Sequence, residues 1–164
     1  MTEPTREWRA VLDRLAAQAS REALAVLRRV EQIQAETSVT RALLAAGIVN
    51  RIAQAWALSD ISLAARAEEL TGTDSPPLGI GPEDDEVSEH IFDALEMILS
   101  EAEESDDAAE NPEMRIGRLA ESEVWDGGRE GLQEAMAARG VTAWRRIVQP
   151  DACAGACPAL TRCA

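Results

Sequence analysis

The sequence has no lysine, no tyrosine, one phenylalanine and one histidine. All 16 basic residues are therefore arginine, a usage read here as the coding bias of a GC-rich genome. The three cysteines stand at 153, 157 and 163, all at the C-terminal end. They cannot staple the body of a fold, and their odd number leaves a thiol unpaired. Synthesis in a reducing cytoplasm fits this pattern. The longest unbroken apolar run, Ala42 to Val49, has eight residues, too short for a membrane span of about 20. The opening MTEPTREW carries neither a basic n-region nor an apolar h-region, so no secretory signal is read. No G-x-S-x-G, P-loop or G-x-G-x-x-G motif occurs, and with them go the nucleophile elbow and the usual phosphate cradles.

What is present points to helices. Alanine fills 30 of 164 positions, or 18 %, and alanine is the strongest intrinsic helix former. Apolar residues at 46 % and charged residues at 28 % are ordinary for a globular chain. The net charge is −14, and its distribution is uneven. Residues 1–80 hold ten acids and nine arginines, and residues 114–164 hold six and seven. Residues 81–113 hold fourteen acids and no arginine. The whole imbalance lies there. Neither flank has the clustered cations that phosphate contacts need, so sequence-specific nucleic-acid binding is not expected.

The chain divides into an N-terminal helical region (1–72), a Pro/Gly linker with an acidic helix (73–112), and a C-terminal segment (113–164). Trp8, Leu12, Leu15, Ala19, Ala23, Val26, Val30 and Ile33 recur at spacings of three and four, one apolar stripe on a long helix starting near Thr5. This stripe is also a candidate surface for self-association. Glu36-Thr37-Ser38 reads as a break. A second helix is expected over 39–58, with Leu43, Leu44, Ile48, Ile52 and Trp56 inside and Gly47 marking close helix approach. Ser59 or Asp60 is read as the cap of a third helix over 61–70, before the breaker Gly72 to Pro77. A fourth helix is expected over 86–104, with Val87, Ile91, Ala94, Leu95, Ile98 and Leu99 on its apolar face, fraying from Glu101 to Glu110. A fifth is expected over 113–139, with Ile116, Leu119, Ala120, Val124, Leu132 and Met136 inward, weakened at Gly127-Gly128 and ended by Gly140. Val141 to Val148 reads as a short strand ending at Pro150. The fold class is thus mainly α: an N-terminal bundle or long hairpin, an acidic helix, then a helix, a strand and a Cys-containing turn.

Chemistry is sparse. Cys153, Cys157 and Cys163 offer three soft ligands, one short of the usual structural zinc set, so no metal or other cofactor is assigned. The carboxylates Glu83, Asp84, Asp85, Glu86, Glu89, Asp93 and Glu96 include pairs at helical spacing but no D-x-D-x-D-G loop. A solvated acidic face explains them more simply. His90 has no nucleophile to activate in any recognisable motif. The chain reads as a binding protein rather than an enzyme.

The most specific pattern runs from Arg115 to Cys157. Arg115-Ile-Gly-Arg118-Leu-Ala-Glu121-Ser-Glu123 opens a helix; Gly140, Trp144, Arg145 and Arg146 follow; then comes Asp151-Ala-Cys153 with Cys157. On a helix Arg118 lies near Glu121, and on a strand Trp144 and Arg145 point to opposite sides. This segment of about 50 residues resembles the head-morphogenesis, or Mu F-like, minor capsid proteins of tailed bacteriophages, in the style of actinobacterial phage members. Their shared region is an R-x-A-R-T-E helix, a strand with a Trp, and an acidic-Ala-Cys turn. Glu123 takes the place of the family's Glu and Ser122 that of its Thr. The chain shows C-x3-C where the family has C-x2-C.

The resemblance implies a non-enzymatic structural component of the virion, made in the bacterial host and linking the portal to the capsid interior. Its partners would be the portal, the major capsid protein or a scaffold protein, with no membrane. Trp144, Arg145 and Arg146 are the expected partner contacts, with Glu121, Glu123 and Arg118 organising the helix. A rival reading makes the acidic segment a regulator or DNA mimic; another makes the Cys cluster a metal or redox site.

Overall fold

A computed structural model describes residues 3–82, 84–104 and 111–141. Four α-helices follow one another: α1 (Glu3–Gln32), α2 (Thr37–Thr71), α3 (Asp84–Glu104) and α4 (Pro112–Ala138). There is no strand among the described residues. The expected strand over 141–148 and the Cys-containing turn fall, apart from Val141, outside them.

Helices α1, α2 and α4 pack pairwise as a three-helix unit, and α3 lies against α2 and α4 but not α1. One apolar core joins all four helices. From the expected α1 stripe Leu12, Ala19, Ala23 and Val30 enter it, joined by Ala16 and Leu27, while Trp8, Leu15 and Val26 pack against it partly buried. Each large aliphatic side chain buried in this way contributes roughly 1.5–3 kcal/mol. Ile33, expected on the inner stripe, is instead 61 % exposed. The helix has ended at Gln32, and Gln34 turns the chain with φ 51°.

Sequence reading divides the second helical region at Ser59-Asp60, whereas α2 runs unbroken for 35 residues. The division fails because both polar side chains find tertiary partners and do not have to cap a helix end. Ser59 Oγ, fully buried, lies 2.7 Å from the Gly128 carbonyl of α4 and 2.9 Å from the Ala55 carbonyl, and accepts a 3.2 Å bond from Trp8 Nε1 of α1. One hydroxyl therefore links three helices. Ser59→Ala is expected to cost about 1–2 kcal/mol in urea unfolding, because it removes the partner of a half-buried indole N–H. An unchanged unfolding midpoint would contradict that role.

Asp60 shapes the connection to α3. Only 2 % exposed, it accepts the backbone N–H groups of Leu78 (2.7 Å) and Gly79 (2.9 Å) on Oδ2 and pairs through Oδ1 with Arg139 Nη1 at 2.8 Å. Arg139 also donates to the Pro76 carbonyl. Burial pushes the Asp60 carboxyl up, but the Arg139 bond, the two backbone N–H bonds and the Arg139 charge together outweigh it and hold it below its ordinary value. The Pro/Gly segment after Gly72 is thereby tied to both α2 and the end of α4.

Glycine use also differs from expectation. Gly47 has nothing within 4 Å of where a Cβ would stand and is exposed. The close approach lies on α4, through Gly127, Gly128 and Gly131. A Cβ at 127 would sit 2.7 Å from Ile52 Cγ2, at 128 2.7 Å from Leu12 Cδ1, and at 131 2.8 Å from the Trp56 backbone Cα. The pair read as a weak point in the helix is part of its contact seam. The seam lets α4 lie deep between α1 and α2.

Candidate partner-binding face

The acidic helix is the chemically distinctive part of the surface. Ile91, Leu95 and Ile98 are buried with Val87 and Leu99 packed beside them, as the sequence periodicity predicts, and Phe92 joins them. The opposite side presents Glu89, Asp93, Glu96 and Met97 to solvent. Thus α3 is charged and still firmly seated, because its two sides separate by helical spacing.

Three residues from neighbouring helices hold it. From α2, Arg41 pairs with Glu96 at 2.8 Å, and its guanidinium lies 5.6 Å from the centre of the Phe92 ring. From α4, Arg115 pairs with Glu101. Also from α4, Glu123 Oε1 lies 3.3 Å from His90 Nε2. Each exposed pair is worth at most about 1 kcal/mol. Their effect is orientation: two α4 residues and one α2 residue fix which side of α3 faces out. Glu96 and Glu101 carry arginine partners, so the outward row of negative charge is interrupted.

The sequence-selected residues fare differently. Glu123 joins His90, and Arg115 joins Glu101, across the α3–α4 contact. Arg118 and Glu121 are exposed on α4, and Ala120 is buried in the core. Trp144, Arg145, Arg146, Cys153, Cys157 and Cys163 lie outside the described residues. Among the described residues no three potential metal ligands converge.

Sequence reasoning missed Arg41 and His90 as members of this face. Arg41 sits in the apolar start of α2, where a lone cation four residues after Thr37 gives no hint of a partner beyond residue 90. In sequence His90 reads as a lone imidazole with neither a nucleophile nor a nearby metal-ligand set. Its position one turn before Ala94 on an acidic helix, opposite a helix rich in Glu, was the available signal.

By length and composition, α2 is apolar enough to cross a membrane, a property the unbroken-run test overlooks because its polar residues are spread out. In this structure 39 % of its most apolar stretch is buried in the bundle. Comparison of the chain with family models, curated proteins and solved structures finds no significant match.

Proposed function

We propose that the chain is a minor capsid or head-morphogenesis protein of a phage or prophage, residing in the virion and acting by protein–protein binding. The observation that carries this reading is the seating of α3. Arg115 and Glu123, two of the residues on which the phage-protein resemblance rests, are the α4 residues that grip the acidic helix through Glu101 and His90. The motif thus has a physical task, which is to hold an acidic face in a fixed orientation. Its complement is an arginine-rich surface on a portal, scaffold or major capsid protein. The rival reading as a DNA mimic wants an unbroken row of acids, and the Arg41 and Arg115 pairs interrupt that row.

Tagged chain, wild type and Glu89→Arg/Asp93→Arg, is to be used for affinity capture from a lysate of its own source, read by mass spectrometry. Both substituted positions are exposed, so the fold is retained. Portal, scaffold or major capsid protein is expected with wild type and is expected to fall at least about tenfold with the variant. Capture of transcription or nuclease components without head proteins would overturn the reading.

A further inference from the structure

Helices α1 and α2 leave an open apolar groove of about 560 Å³ between them. Val26 and Val30 of α1, with Ile33 just beyond its end, line it together with Leu43, Gly47 and Ile48 of α2. Ile33 is 61 % and Leu43 48 % exposed, so a substantial apolar surface meets water on an otherwise well-covered core.

We propose that this groove is the interface between two copies of the chain. Gly47 supplies one reason. A glycine inside a helix costs about 1 kcal/mol relative to alanine. Within one chain nothing occupies the space beside it, so no intramolecular packing explains it. A notch at this place admits a helix from outside, as the glycines of α4 admit α1 and α2 from within.

Charge supplies the second. The groove carries two ionic residues, Glu22 and Arg29, of opposite sign and on the same helix. Arg51 of α2 already holds Glu22 at 2.5 Å and keeps the carboxyl below its ordinary value. In a two-fold pairing each surface meets its own copy, and a surface that carries one charge of each sign does not repel that copy. The acidic helix packs on α2 and α4 and not on α1. The groove contains no α3 residue, so pairing groove to groove does not use the acidic face. Pairing through α3 would instead set like charges together, and a basic partner would be drawn to α3 rather than to this neutral edge. The dimer so formed displays two copies of the face assigned above to the head partner, but its existence does not depend on that assignment.

Sedimentation equilibrium of the full chain over a concentration series tests the proposal, with Gly47→Gln and Leu43→Glu as variants. Both positions are exposed in one chain, and Gln is a better helix former than Gly. Both variants are therefore expected to keep the wild-type helical circular dichroism. Wild type is expected to dimerise, and each variant to raise the dimer dissociation constant at least about tenfold. A wild-type chain that stays monomeric at all concentrations overturns the proposal, as does a dimer indifferent to both substitutions. Flotation of a monomeric chain with phosphatidylcholine vesicles, abolished by Leu43→Glu, would assign the groove to a lipid surface instead.

Discussion

Gly131→Val is expected to destabilise the bundle by about 3 kcal/mol, a large loss for one added isopropyl group. A Cβ at this position would lie 2.8 Å from the Trp56 Cα and 3.0 Å from its ring. The obstacle is backbone, which cannot rotate aside, so α4 must move off α2 and open the core around Ile52 and Ala55. Gly117→Ala is the control. Its Cβ would meet Ser20 Oγ at 2.9 Å, a side chain free to rotate, and it gains up to about 1 kcal/mol of helix propensity. The second change is thus expected to be nearly neutral. Urea unfolding followed by far-ultraviolet circular dichroism separates them. Equal losses at both sites would show that the seam is not where α4 is held.

Arg139→Ala is expected to cost about 3 kcal/mol at neutral pH, because it leaves the Asp60 carboxylate buried without its cation. The same variant changes the acid response. Asp60 is held below its ordinary value of 3.8 when folded. Its contribution is therefore complete above that value and is lost as pH falls through the lowered one. Removing Arg139 removes both its bond and its charge, two of the four influences that lower it, while burial continues to raise it. The variant should therefore show a smaller rise in stability with pH across the acid range than wild type. A variant whose pH profile runs parallel to wild type, simply offset, would show that Arg139 acts through packing alone. Asp60→Asn, which can still accept the Leu78 and Gly79 bonds, is expected to lose less than Asp60→Ala.

Much of the fold was legible because helical periodicity is a local property. Leu12, Ala19, Ala23 and Val30 on α1, and Ile91, Leu95 and Ile98 on α3, are buried where their spacing predicts. What failed was the reading of polar and small residues inside helices. Ser59 and Asp60 look like a cap in sequence, since serine and aspartate favour helix starts. Their real partners, Trp8, Gly128, Leu78, Gly79 and Arg139, lie up to 79 positions away from Asp60 or 69 from Ser59. Gly127-Gly128 and Gly47 were likewise interchangeable on propensity alone. Only tertiary neighbours tell a glycine that admits another helix from one with empty space beside it.

The candidate face was half legible. The acidic run announced itself by composition, and Glu123 was singled out through the family likeness. That Arg115 and Glu123 grip this very helix depends on how α3 and α4 meet, which charge counting does not reveal. The expected contacts Trp144, Arg145 and Arg146 belong to the segment beyond Val141.

The central claim, residence in a phage head, meets its most direct test in quantitative mass spectrometry of gradient-purified particles induced from the source strain. The chain is expected to co-purify with full heads at a constant low ratio to the portal protein and to survive a high-salt wash of intact particles. Full heads that contain portal and major capsid protein but no peptide of this chain would contradict the account.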